Sequence, residues 1–371
     1  MKNKDKKTTK RKLNKKGFIL AGAIVALLVI LLCGVGYGIF ARYYYSLDRD
    51  MNQAEGELFE SEGEIYEPDD NDDYGESVSE ATSEEVVAID DALQDNLKAL
   101  EEQSELYGED LFNLLLVGVD TRGASYGGRS DVMILVSINR DTKKIVMTSF
   151  LRDIYLSIPR HGNNRLNAAH AYGGTALLKD TIQANFGISI DRCMVVNFYF
   201  VMDFVDAVEG VEVEITTEEI RVMNDYIKAH NKLLDNPEGT DILTAADAGK
   251  KVLNGNQALA YSRVRYVGTD FARTGRQREV ILACLEKVKG MNLKELDALM
   301  MEFLPRIKTD LSEGDCAMLL LLLLDISSYE IENFAIPVDG TWGNARINEM
   351  AVLIIDFKAN AKVWLEAVGE E

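Results

Sequence analysis

Hydrophobic positions fall into one long block and a series of short ones, and their spacing sets out an architecture. The run Phe18–Phe40 holds 23 residues without a charge, which at about 1.5 Å per helical residue is long enough to cross a bilayer core. From Asp48 to Glu85 the pattern inverts: sixteen acids face one base, with Gly and Ser between them and few aliphatics, which predicts a solvated tether. A helical pattern over Glu85–Leu106 then leads into Leu111–Val119, Val132–Ile138 and Ile145–Phe150. These runs are short and rich in aliphatic and β-branched residues, so they read as strands. The first two are apolar on both faces, and the sheet they build is expected to be covered on both sides.

The polar link 139–144 suits a hairpin turn, which makes the second and third strands antiparallel neighbours. If the first strand pairs antiparallel with the second, Asp120, Arg122, Arg129, Asp131, Arg152 and Asp153 gather at one sheet edge. Further along, Thr175–Phe186, Thr244–Leu253, Gln257–Val264, Ala272–Lys289, Leu293–Phe303 and Glu313–Asp325 have helical spacing. Cys193–Tyr199, Val211–Ile215 and a segment near Ile331–Ile336 read as strands, and a last helix is expected from about Met350. The fold class that follows is α/β, a mixed central sheet with helices on both sides, preceded by one N-terminal transmembrane helix. Its parts are a basic tail (1–17), a transmembrane helix (18–40), an acidic linker (41–105) and a folded domain (106–371).

Charge gives the long apolar run a direction. Residues 1–16 carry nine Lys or Arg against the single acid Asp5, so the N-terminus is expected in the cytoplasm and the rest outside the cell membrane. Tyr43, Tyr44 and Tyr45 suit an aromatic belt at the outer interface. The whole chain carries −21; with +8 in that tail, the remainder carries −29 and offers a poor surface to nucleic acid. Cys193, Cys284 and Cys316 sit within apolar stretches and read as buried free thiols. His161, His170 and His230 lack zinc spacing.

A second concentration of charge lies at Arg263-Val264-Arg265 and over Asp270–Gln277. On the helix from Ala272 the stripe Val280, Cys284, Val288 faces a core, and stepping back by helical spacing places Gln277 and Arg273 at the head of that face. An arginine buried there calls for an anion, and a phosphate at a helix N-terminus meets backbone N–H groups as well. Each arginine taken singly also fits an ordinary structural salt bridge. As a set they match the forked geometry of pyrophosphate oxygens, and Asp120 with Asp131 suits Mg²⁺ (or Mn²⁺) held between carboxylates and substrate phosphates.

Six stretches in order carry a resemblance: Leu116-Val117-Gly118-Val119-Asp120-Thr121-Arg122, Gly128-Arg129-Ser130-Asp131, Leu151-Arg152-Asp153, Arg165-Leu166-Asn167 with Ala171-Tyr172-Gly173-Gly174, Ala260-Tyr261-Ser262-Arg263-Val264-Arg265, and Asp270-Phe271-Ala272-Arg273-Thr274 with Arg276-Gln277. Together they resemble the motifs of the LytR-CpsA-Psr family. Leu151 departs from it, standing where the family usually has Pro. The resemblance implies a phosphotransferase that moves a teichoic acid, capsular polysaccharide or similar polymer from an undecaprenyl-pyrophosphate carrier to the C6 hydroxyl of peptidoglycan N-acetylmuramic acid. It implies that Arg122, Arg129, Arg152, Arg263, Arg265, Arg273 and Gln277 surround the pyrophosphate and that Asp120 and Asp131 hold the metal. Asp153 or a metal-bound acid is then a candidate to take the hydroxyl proton, and Val195–Val208 a candidate lipid groove. A pyrophosphatase using water, and a non-catalytic wall-polymer binding or regulatory module, are the alternative readings.

Overall fold

The computed structural model describes residues 41–42, 44–49, 51, 78–102, 106–108, 111–119, 129–265, 267, 269–325 and 328–369. The basic tail, Phe18–Phe40, most of the acidic tether, Asp120 and Arg122 lie outside them. Among the described residues no helix is long and apolar enough to cross a membrane.

The strands in chain order are β1 (Phe112–Val119), β2 (Ser130–Asn139), β3 (Lys144–Phe150), β4 (Tyr155–Ile158), β5 (Gly162–Arg165), β6 (Arg192–Asn197), β7 (Val211–Ile215), β8 (Gly249–Leu253), β9 (Lys308–Thr309), β10 (Glu330–Ile336), β11 (Trp342–Ile347) and β12 (Met350–Ile355). Six of them form one mixed sheet in the order β10-β3-β2-β1-β6-β9. β1, β2 and β3 run as an antiparallel meander, whereas β6 lies parallel to β1 and β10 parallel to β3. The register Val119↔Ser130 and Val119↔Asn197 therefore brings the ends of β1 and β6 to the start of β2. Ile336↔Phe150 adds the ends of β3 and β10 to the same edge. At Gly118 an added Cβ would lie 2.9 Å from the Val132 Cβ, so only glycine admits this close strand approach beside the edge.

Alternation along the central strands feeds two cores. Leu114, Ile134 and Val136 point to one face, and Leu115, Val117, Met133 and Leu135 to the other. The helices are α1 (Ser83–Glu101), α2 (Leu166–Phe186), α3 (Phe198–Ala207), α4 (Thr217–Leu233), α5 (Gly255–Arg263), α6 (Asp270–Lys289), α7 (Leu293–Phe303), α8 (Glu313–Asp325) and α9 (Phe357–Val368). Helices α3 to α8 cover the first face through residues such as Val205, Tyr226, Tyr261, Cys284, Phe303 and Leu319. The second is covered by α1, α2, α9 and the hairpins β4–β5 and β11–β12, with Leu93, Ile182, Phe186, Leu353 and Trp364 buried there. The two-sided cover expected from β1 and β2 is thus present, and truncating a fully buried ring such as Trp364 carries a penalty of about 3–5 kcal/mol. Cys193, Cys284 and Cys316 are free and buried, as read from their apolar settings.

Several elements differ from the sequence expectation. Thr244–Leu253 is not a helix but a 3₁₀ turn, Ala245–Asp247, followed by strand β8, because Gly249 takes φ +102 and the residues after it pair with β7. The helix expected from Met350 begins only at Phe357: Met350–Ile355 pairs with β11, and the Asp356 side chain then caps the helix by accepting from Ala359 N–H. The strand drawn over Cys193–Tyr199 ends at Asn197, whose side chain caps α3. Helix α4, opened by a capping box between Thr216 and Glu219, has no counterpart among the expected elements. Tyr44 and Leu47 are buried in the first core, so Tyr44 does not serve in an interfacial belt. Within the linker (41–105), α1 forms where the sequence predicts a helix over Glu85–Leu106 and packs Leu93 onto the second core.

Candidate active site

The edge where β1, β3, β6 and β10 end is where an open sheet binds ligands, because chain crossovers there leave a crevice beyond the strand ends. A small cleft opens at it, lined by Asp131, Val132, Phe198, Ser262, Arg263, Arg265, Arg273 and Gln277. The lining side chains arrive from several elements. Asp131 is the second residue of β2, Phe198 opens α3, Arg263 closes α5, and Arg273 and Gln277 stand one turn apart near the start of α6.

The charges interlock. Arg152, just past β3 and 7% exposed, donates from Nη1 to Asp131 Oδ1 at 2.9 Å, and its Nε lies 3.4 Å from Asp153 Oδ2. Asp153, 2% exposed, is also 3.3 Å from Arg165 Nη1. Burial alone would raise the Asp131 carboxyl, but Arg152, Arg273 and Arg265 outweigh it and hold the group well below the usual carboxylate range. Asp131 is therefore an ionised acid in an arginine field.

Arg273 is buried and grips both carboxylate oxygens of Asp270 with Nη2, at 2.8 and 2.9 Å, while its Nε makes no hydrogen bond. Burial, with Arg152 and Arg265 nearby, lowers its hold on its proton, and Asp270 offsets part of that. Gln277 reaches the Ser262 carbonyl at 3.5 Å, the long limit of a hydrogen bond, and so tethers the residue preceding Arg263 only loosely. The guanidinium of Arg263 lies over the rings of Phe198, 5.0 Å away, and Tyr226, 5.3 Å away, a cation–π setting that fixes its position.

Of the residues expected to meet, Asp131, Arg152, Arg263, Arg265, Arg273 and Gln277 are brought together, and Asp153 stands behind Arg152. Arg129 is exposed at the start of β2 and does not line the cleft among the described residues. Asp120 and Arg122 lie outside those residues. Val195–Val208 contributes Phe198 to the cleft and Met202 to a small apolar cluster with Leu259, flanked by Leu233 and Leu234, while Phe204 and Val205 are simply core.

For the metal, no three His, Cys, Asp or Glu side chains group together among the described residues. The ionised Asp131 fits an ion such as Mg²⁺, which takes one or two carboxylates and completes its shell with substrate phosphate and water.

Sequence reasoning overlooks three partners. Arg165 clamps Asp153, and its place in the third-from-last motif is the available signal. Arg276 is buried and structural: Nε donates to Glu219 Oε1 at 2.7 Å, Nη1 to the Val264 carbonyl at 2.9 Å, and Nη2 to the Val267 carbonyl. It thereby pins to α4 and α6 the loop that carries Arg265. His230, buried under Arg263, shares a 2.8 Å hydrogen bond through Nδ1 with Asn256 Oδ1. Also overlooked is Gly123-Ala124-Ser125-Tyr126-Gly127, which has the spacing of a serine-hydrolase nucleophile. That motif works on a strand-to-helix turn, and residues 123–127 lie outside the described residues.

Three comparisons match this arrangement. The chain is 33% identical over 219 residues to the polyisoprenyl-teichoic acid–peptidoglycan teichoic acid transferase TagU of Enterococcus faecalis, covering 57% of this chain and 66% of that protein. It is 32% identical over 228 residues to the corresponding transferase TagT of Bacillus subtilis, covering 60% and 67%. The fold is similar to that of the LytR-CPS2A-psr family protein YwtF (TagT) with bound octaprenyl pyrophosphate lipid, at a TM-score of 0.51 and 27% identity over 73% of this chain and 95% of that one. Residues 77–367 match the LytR_cpsA_psr family, and the chain belongs to it.

Proposed function

We propose that the chain is a phosphotransferase that moves a glycopolymer, a teichoic acid, capsular polysaccharide or similar chain, from an undecaprenyl-pyrophosphate carrier to the C6 hydroxyl of peptidoglycan N-acetylmuramic acid. The observation that carries this reading is the charge of the cleft: among the described residues its lining holds three guanidinium groups and one carboxylate, with Arg152 directly behind that carboxylate. A pyrophosphate brings the concentrated negative charge that balances such a set, and arginine forks meet its oxygens at two points. The relatives named as teichoic acid transferases, and the related structure holding a polyprenyl pyrophosphate, support the same donor.

In the proposed reaction the acceptor hydroxyl oxygen bonds to the phosphorus nearest the sugar while the bridging P–O bond breaks and polyprenyl phosphate leaves. Charge spreads over the phosphoryl oxygens, so positioning and neutralisation dominate. Arg263, fixed on two rings, and Arg273, fixed on Asp270, are pre-set for those oxygens. Asp153, held between Arg152 and Arg165, acts by positioning Arg152. In a loose transition state the hydroxyl proton departs late, and the ionised Asp131 is the carboxylate in the cleft to receive it. Mg²⁺ held by Asp131 and Asp120 would supply further charge neutralisation at the phosphates. The apolar rings and side chains of Phe198, Met202 and Leu259 suit the first prenyl units of the carrier.

We place the catalytic domain outside the cell membrane on a single N-terminal span, on the strength of Phe18–Phe40 and the basic tail. The decisive experiment incubates the full chain in detergent with a synthetic polyprenyl-pyrophosphate glycan, peptidoglycan oligomers and Mg²⁺. Mass analysis should find the glycan joined to the oligomer through one phosphate. Hydrolysis of the donor to an unattached glycan phosphate, with no joined product, would favour a pyrophosphatase.

A further inference from the structure

Tyr172 is exposed yet held in place. Its ring is 47% accessible, and few large apolar side chains of the described surface are as open. One face stacks on the His161 ring, with centroids 5.2 Å apart and planes inclined by 22°. Its hydroxyl accepts a 2.8 Å hydrogen bond from Asn164 Nδ2. The supports are themselves fixed: Asn163 of the β4–β5 hairpin donates to Asp90 of α1 at 2.7 Å. Immediately after the tyrosine, α2 breaks at Gly173 and Gly174, the second with φ +60. A Cβ on Gly173 would fall 2.7 Å from the Leu177 Cβ, so the break requires glycine there. An exposed ring gains little from being fixed for stability alone, whereas fixing it removes an ordering penalty from binding.

The ring is also wired to the reaction centre. Asp153 pairs with Arg165 at 3.3 Å, the Arg165 backbone N–H donates to Asn164 Oδ1 at 2.8 Å, and Asn164 holds Tyr172. This chain of contacts leaves the site on the α2 side of the sheet. The apolar cluster of Phe198, Met202 and Leu259 lies with α3 and α5 on the opposite side. In-line displacement at phosphorus places the incoming oxygen opposite the leaving group, so if the prenyl phosphate departs toward α3 and α5, the acceptor enters from the side of Tyr172.

Resting on the transferase reading above, we propose that Tyr172, backed by His161 and oriented by Asn164, is a stacking platform for an N-acetylhexosamine of the acceptor glycan strand. A pyranose presents an apolar C–H face that packs on an aromatic ring, and the ring is sequence-neutral along a polymer of such sugars.

The test uses the full chain in detergent with two probes, a peptidoglycan tetrasaccharide of alternating N-acetylglucosamine and N-acetylmuramic acid, and octaprenyl pyrophosphate. Tyr172→Ala should weaken tetrasaccharide binding, measured calorimetrically, about tenfold, the size of one lost stacking contact. In the transfer assay it should raise the acceptor KM by a similar factor with kcat little changed, and Tyr172→Trp should restore both. Unchanged tetrasaccharide affinity in Tyr172→Ala, or a rise confined to the donor KM, overturns the platform. Thermal melting of the variant guards against unfolding, and the tryptophan variant keeps the question open to decision if alanine destabilises the hairpin. Wild-type protein that does not bind octaprenyl pyrophosphate would instead defeat the transferase reading, since the calorimetric arm does not depend on turnover.

Discussion

Arg152 and Asp131 form a buried ion pair, Nη1 to Oδ1 at 2.9 Å, that ties the end of β3 to the start of β2 at the mouth of the cleft. The pair is one link of a longer series, because Arg152 also leans on Asp153 and Asp153 on Arg165. Arg152 is therefore aimed by carboxylates at two strands' ends, directly behind the cleft where the pyrophosphate is proposed to sit.

The first prediction follows from that geometry. Arg152→Lys and Arg273→Lys keep the charge but lose the fork, since an ammonium is a point donor. Each should slow transfer by roughly 2–3 kcal/mol of activation free energy, about 30- to 150-fold. Single-turnover transfer of labelled glycan measures it, and near-normal rates in both variants would reduce the two residues to structural ion pairs.

Much of this site was legible beforehand, and the reason is physical. Strands buried on both faces, such as Leu114 to Val117, advertise themselves as unbroken apolar runs, and a tight hairpin between β2 and β3 forces Asp131 and Arg152 to one edge. The stripe Val280, Cys284, Val288 likewise placed Arg273 and Gln277 correctly, and all of these are buried. What escaped depends on tertiary pairing. Lys250 to Leu253 reads equally well as helix or strand until β7 offers a ladder, and Met350 to Ile355 until β11 does. Arg276 sits among arginines that line the cleft, and only the positions of Glu219 and the Val264 carbonyl show that it serves the scaffold.

The second prediction concerns that scaffold. Arg276 and Glu219 are paired at 2.7 Å with side chains 8% exposed on both sides, so removing one partner strands the other. Arg276→Met should lower unfolding free energy by about 3–5 kcal/mol, and Glu219→Gln by less because the neutral amide still accepts. Urea unfolding of the two single variants and the double variant should give a coupling above about 1 kcal/mol. Additive losses would show that the pair does not act as a unit.

Acidification provides the third. Burial first, then Arg263, pushes His230 down to about 4, while Asn256 pulls the other way. In the unfolded chain a histidine takes its proton near pH 6.5. Between these values the unfolded state binds a proton that the folded state refuses, so stability falls as pH drops from about 6.5 to 4 and the loss is complete below that, at about 3 kcal/mol. His230→Gln, which can still donate to Asn256, should flatten this part of the curve in urea unfolding at several pH values. Parallel curves for variant and wild type would remove His230 from the account.

Topology is the fourth. A tag placed after Glu371 should be cut by protease added to intact protoplasts, while a tag before Met1 should be protected, because the basic tail retains the N-terminus inside. The reverse pattern would place the domain in the cytoplasm, away from any wall acceptor.

The fifth prediction separates the metal from the ion pairs. Asp131 has three duties in this account, as partner of Arg152, as one of two acids holding Mg²⁺ and as acceptor of the hydroxyl proton, whereas Asp120 is assigned only the metal. Asp120→Asn should therefore reduce transfer without lowering stability, and raised Mg²⁺ should recover much of the rate, because the metal site is weakened while the arginines stay in place. Asp131→Asn should lower both, since the buried Arg152 loses one of its counter-charges and Arg265 and Arg273 lose a nearby anion. Added Mg²⁺ cannot return the lost carboxylate to Arg152, so recovery should be partial there and smaller still in the double variant. Transfer measured across a Mg²⁺ titration, with urea unfolding of each protein alongside, distinguishes the metal from the ion pairs. Full activity in the presence of a chelator would exclude the metal and leave Asp131 as arginine clamp and proton acceptor.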